Sequence, residues 1–139
     1  MPAVFVGLPV ADLERTTAFY SALGLSRNPM FSDHNAVCFT IEEDHSYVML
    51  ITREFFQTFT ELPIGNNAVS PAVSVTIFVD TRDAVDAAAS AGLTAGGSEP
   101  QPADDYGFMY QRQVNDPDGN VIQFGWMDPA GAAPATTAS

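Results

Sequence analysis

The chain has 139 residues and a mass of 14.8 kDa, is 46% hydrophobic, and sets five Lys plus Arg against seventeen Asp plus Glu for a formal charge of −12. That is one domain, long enough to bury a core without staples, and its single cysteine, Cys38, excludes an internal disulfide or a zinc-ribbon pattern. The acidity excludes a nucleic-acid partner, whose backbone needs clustered cations, and the lack of a leader-like segment or of about 18 consecutive apolar residues gives the expectation of a cytoplasmic chain that neither spans nor binds a membrane.

Residues 3 to 10, AVFVGLPV, alternate: Val4, Val6, Leu8 and Val10 share one face, Phe5 and Gly7 the other, which predicts a half-buried strand. Asp12 suits a helix N-cap, and Leu13, Thr16, Thr17, Tyr20 and Leu23 recur at helical spacing before Gly24 stops the helix. Strands are predicted at Arg27 to Phe31, Ala36 to Glu42 and Ser46 to Thr52, separated by polar turns. Arg53 to Thr60, with Phe55, Phe56 and Phe59, reads as a helical turn that packs in the core, covers a ligand or meets a second chain. Residues 61–71 read as a linker, which ends module one at residues 3–60.

The pattern then restarts. Val73, Val75, Ile77 and Val79 repeat the spacing of Val4, Val6, Leu8 and Val10 at an offset of 69 residues (73 − 4). A helix over Thr81 to Ala91 ending at Gly92, then strands at Thr94 to Ser98, Phe108 to Val114 and Val121 to Met127, complete module two over residues 72–128, with Pro100 to Asp105 as a loop. Asp116-Pro117-Asp118-Gly119-Asn120 is a strong turn signal before the last strand. The predicted fold class is α+β: two tandem β-α-β-β-β modules in one domain, residues 1–128, forming an open, curled mixed sheet around a cleft. Residues 129–139 read as a flexible tail.

By alternation Tyr47, Met49, Ser74, Thr76, Gln111, Gln113 and Gln123 join Phe5 on the face assigned to the cleft. Such a wall suits binding an organic molecule better than making a strong base or an electrophile. The net charge favours a cationic ligand. Cys38 lies in an alternating strand as a buried thiol, and Arg112 either faces the cleft or pairs with carboxylates. No catalytic residue is assigned.

LPVADLERTTAFYSALGL (Leu8 to Leu25), the duplicated order and DPDGN before a final strand together resemble the vicinal oxygen chelate superfamily: glyoxalase I, extradiol dioxygenases, fosfomycin-modifying enzymes and bleomycin resistance proteins. YGFMY (Tyr106 to Tyr110) is similar to small glyoxalase-like members. The resemblance implies metal-ligand positions on the first and last strands of each module, which fall here on Phe5, Met49, Ser74 and Gln123. None is His or Glu, and His34 and His45 lack ligand spacing, so the expected metal and cofactor complement is none. The expectation is a metal-free protein that sequesters a small organic ligand, as bleomycin resistance proteins do, and that forms the homodimer the resemblance implies. The alternative is a glyoxalase-like lyase or isomerase with a divalent metal at a displaced site.

Overall fold

The computed structural model describes residues 2–131. The expected tail at residues 129–139 therefore lies mostly outside the described residues. Two β-α-β-β-β modules follow one another, each giving a four-stranded mixed sheet that does not close.

In the first module β1 (Val4–Val10) runs parallel to β4 (Ser46–Thr52), and β3 (Ala36–Glu42) and β2 (Ser26–Asn28) add antiparallel in the order β1-β4-β3-β2. Helix α1 (Leu13–Ala22) starts where Asp12 Oδ1 accepts the Arg15 N–H, and ends where Gly24 takes φ +92°. The short α2 (Arg53–Phe56) and a 3₁₀ turn, Gln57–Phe59, follow. The second module repeats the scheme: β5 (Ser74–Phe78) pairs parallel with β8 (Val121–Met127), beside β7 (Met109–Gln113) and β6 (Asp104–Asp105), with α3 (Arg82–Thr94) as the crossover.

The duplication is exact in register where it matters. Gly7 pairs with Met49 and Thr76 with Gln123, so Phe5 and Ser74 each stand two residues before the pair, on the same face. The opposite faces share one core: Leu8, Val10, Phe39, Val48 and Leu50 from the first sheet and Val75, Ile77, Ile122 and Phe124 from the second, filled by Phe19, Tyr20, Val85 and Ala89 of the helices. A single core under both sheets leaves Phe5, Tyr47, Met49, Ser74, Thr76 and Gln123 on the faces turned away from it.

Three expectations are corrected. The strand predicted at Arg27 to Phe31 is only Ser26–Asn28, followed by a 3₁₀ turn at Pro29–Phe31: Pro29 offers no N–H to a ladder, and Asn28 Oδ1 caps the turn by accepting from Met30 N–H at 3.1 Å. The second helix does not end at Gly92 but runs to Thr94, with Gly96 at φ +102° past its end. Gly92 is a packing glycine, since a Cβ there would lie 3.0 Å from Val114, 3.1 Å from Leu23 and 3.2 Å from Phe19. The strand predicted at Thr94 to Ser98 shrinks to one bridge, Ser98 to Asn115, and the edge strand forms at Asp104–Asp105, inside the segment read as a loop. The helix consumes Thr94, and Pro100 and Pro102 delay pairing until they are passed.

Candidate functional site

One wall of the candidate site is aromatic. Phe5 stacks on Tyr47 with ring centroids 4.4 Å apart at 13°, and Phe31 meets Phe5 edge-on at 5.3 Å and Tyr47 at 6.1 Å. Tyr47 is 5% exposed, and its hydroxyl accepts the Asp44 N–H at 3.0 Å, so its ring is fixed. Phe5 and Phe31 are 44% and 43% exposed and offer their free faces to whatever enters. Met49 pairs with Cys38 on the same face. Cys38 is fully buried, and burial pushes its thiol up, away from the reactive thiolate. Gly7 leaves room for Ile51, whose Cδ1 lies 2.9 Å from where a Cβ would stand.

The second sheet carries a separate, polar wall. Gln111, Gln113 and Gln123 come from adjacent antiparallel strands and, with Gln101, Pro102, Asp104 and Arg112, line a pocket of about 180 Å³. The Thr76 hydroxyl donates to Gln123 Oε1 at 3.4 Å, and Gln113 Nε2 donates to Asn115 Oδ1 at 3.0 Å. These two bonds turn the Gln123 amide nitrogen and the Gln113 carbonyl oxygen free for a ligand, one a donor and the other an acceptor. Ser74 and Thr76 are exposed at the edge of this wall. Phe31, Gln101 and Asp104 were not legible in the sequence: Phe31 sits on the unforeseen 3₁₀ turn, Asp104 begins the unforeseen β6 and Gln101 precedes it.

Arg112 is not a free cation of the cleft. Its guanidinium donates to both Glu99 oxygens at 2.8 and 2.9 Å and to Asp86 at 3.0 Å, which pins α3 to the sheet. These bonds raise the Arg112 pKa and hold the Glu99 carboxyl below its usual range. The Tyr110 hydroxyl, donating at 2.6 Å, is the main cause of the lowered Asp86 pKa, with Arg112 adding to it. Arg82 ion-pairs with Asp105 and lies over the Tyr110 ring at 4.3 Å.

The donor set does not suit the metal that the fold family implies. The Phe5 ring is held in a stack, Met49 supplies only a thioether, and the oxygen of Gln123 is already hydrogen-bonded. His34 and His45 are both exposed, and the nearest carboxylate oxygen to His45 is that of Glu42, 3.8 Å away. Among the described residues no three His, Cys, Asp or Glu side chains converge as a metal site would require. Among the described residues no helix is long and apolar enough to cross a membrane.

The family model described as bleomycin resistance protein-like N-terminal matches residues 3–42. No curated protein matches the chain. Among solved structures it is similar to a hypothetical protein from S. aureus (26% identity, TM-score 0.73, 91% of this chain and 94% of that one). It is also similar to a glyoxalase-related enzyme from Fulvimarina pelagi (18%, TM-score 0.76, 91% and 88%). A third is TnmS3, an antibiotic binding protein from Streptomyces sp. CB03234 (19%, TM-score 0.63, 91% and 96%). The chain therefore has the fold of the glyoxalase, bleomycin resistance protein and dioxygenase structures, and its residues 3–42 match the bleomycin resistance protein-like model.

Proposed function

We propose that the chain binds and sequesters a small organic molecule without a metal, holding an aromatic part of it against Phe5, Phe31 and Tyr47 and a carboxamide-like part against Gln111, Gln113 and Gln123. The observation that carries this is the replacement of all four implied ligand positions by Phe5, Met49, Ser74 and Gln123 in matched register. A ring stacked on an exposed aromatic gains about 0.5–1.5 kcal/mol beyond its buried area, and neutral amides add orientation without the desolvation cost of a charge. TnmS3, an antibiotic binding protein with this fold, supports this class of role. The chain works as a homodimer, since Phe78 and Phe108, outside the proposed ligand contacts, are each 43% exposed or more and a second copy would cover them. It resides in the cytoplasm, and residues 1–128 act as one domain.

The test is a thermal-shift screen of chelator-treated protein against aromatic, amide-bearing natural products. A ligand at a hundredfold excess over its Kd stabilises the folded chain by about 2.7 kcal/mol, and Gln123→Ala reduces that shift without lowering the Tm of the free protein. Turnover of a glyoxalase-type substrate that appears only on adding a divalent ion would instead establish the lyase or isomerase reading.

A further inference from the structure

The two modules are related by an internal twofold, and the helices obey it: α1 and α3 begin 69 residues apart (82 − 13), as do their caps Asp12 and Thr81 (81 − 12). The last strands follow an offset of 74 (123 − 49), which matches Glu42, paired with Ser46, to Asp116, whose N–H bonds Asn120 O. The surroundings of the two helices can therefore be compared place by place, and they differ.

On one side the space between the helices is filled. The Phe19 ring lies against Gly92, and the turn at residues 116–120 closes over α1, with the Tyr20 hydroxyl donating to Asp116 at 2.8 Å and the Thr16 hydroxyl to Asp118 at 2.6 Å. On the other side the counterparts of Phe19 and Tyr20 are Ala88 and Ala89. What remains is a groove of about 590 Å³ between the carboxyl end of α1 and the amino half of α3. Ile41, Ile77 and Phe124 floor it, Leu23 and Ala88 wall it, and its only charged lining groups are Glu42 and Asp80. Its volume lies within the roughly 300–1,000 Å³ of small-molecule sites.

We infer that this groove is a second binding site, separate from the cleft, for a small aromatic cation. The ring of such a ligand lies over Ala88, where the other half of the molecule carries Phe19, and its ammonium group meets Glu42 and Asp80. The lining presents carboxylates and no side-chain cation, in a chain of net charge −12, so an anion of the same shape is repelled. Glu42 has one charged neighbour, His45 Nε2 at 3.8 Å, which would compete with the ligand only when protonated.

Tyramine is the probe, read by methyl-detected NMR on the full chain, with benzoate as the anionic control. Saturable shifts are expected at the methyls of Ile41, Ala84 and Ala88, with none from benzoate. Binding weakens about fivefold in Glu42→Gln and in Asp80→Asn, as for one partly exposed ion pair each. Ala88→Phe fills the groove and abolishes binding, Ala84→Leu does the same should that variant not fold, and Gln123→Ala leaves it unchanged. Tyramine shifts confined to the cleft, loss of them in Gln123→Ala, or undiminished affinity in Ala88→Phe would overturn the assignment. So would a change of oligomeric state in Ala88→Phe with no change in tyramine binding, because the occupant would then be a second copy of the chain.

Discussion

Asp116 is the residue on which the two modules depend for their mutual position. Its carboxylate is 3% exposed and accepts four hydrogen bonds: from the Tyr20 hydroxyl, the Asn120 side-chain amide, and the backbone N–H groups of Asp118 and Asn120. No cation pairs with it among these contacts, and burial pushes its pKa above the ordinary carboxylate value despite the donors. The same carboxylate and burial hold the Tyr20 hydroxyl well above its usual pKa, with burial the larger cause. Tyr20→Phe removes one donor from a buried carboxylate while keeping the ring, so it should cost about 1–3 kcal/mol, read as a lower urea midpoint with an unchanged m value. A cost below about 0.5 kcal/mol would show that the hydroxyl contributes little to the junction. At this scale alternation is legible: Phe5, Tyr47 and Met49 share one face of the first sheet, and Thr76 and Gln123 one face of the second, as period-two strands dictate. The sequence was silent about Tyr20 to Asp116, because a bond across 96 positions leaves no local pattern.

Among the elements, the strands with clear alternation or a continuous apolar run were legible: β1, β3, β4, β7 and β8 lie close to where their patterns place them. The departures have two physical origins: at Pro29, Pro100 and Pro102 a missing N–H interrupts strand pairing locally, whereas at Gly92 a tertiary contact decides the residue's role. Gly92 looks like a helix stop and is a point of contact between α3, Phe19 of α1, Leu23 and Val114, the residue after β7. Its substitution separates two effects of opposite sign. Ala improves helix propensity by about 1 kcal/mol, but its Cβ would press on Val114, Leu23 and Phe19 at 3.0–3.2 Å, and overpacking of this kind costs about 1–3 kcal/mol. Gly92→Ala is therefore expected to destabilise, whereas Gly65→Ala, with open space around its Cβ, is expected to be near neutral in the same denaturation series. Stabilisation by Gly92→Ala would mean that the helices have slack to separate.

For the molecule as a whole, two sets of carboxylates move stability with pH in opposite directions. Glu99, through Arg112, and Asp86, through Tyr110 and then Arg112, have folded pKa values depressed below the ordinary 4.5 and 3.8, so the folded chain binds fewer protons than the unfolded one. Their stabilisation is present above those ordinary values and is lost as pH falls through the folded ones. Asp116 has the opposite sign: its folded pKa is raised above 3.8, so its ionisation costs stability as pH rises from that value. Urea melts between about pH 3 and 7 should show Arg112→Ala with a shallower acid limb than the parent chain. Parallel limbs would contradict the assignment of the Glu99 shift to that guanidinium.

The duplication and the curled two-sheet fold could be read from the chain because each half repeats the same spacing. The aromatic cluster on the first sheet and the glutamine-lined pocket on the second emerge only once the sheets are assembled. Ligand capture by those walls with no ion is the claim that organises the rest. Native mass spectrometry of the chain, purified without chelator and mixed with metal-free bleomycin and related aromatic, amide-bearing antibiotics, tests it in one spectrum. The account predicts a dimer that takes up ligand in whole-number ratio and carries no divalent ion. A species holding one equivalent of metal per chain, and taking up ligand only while that metal is present, would contradict it.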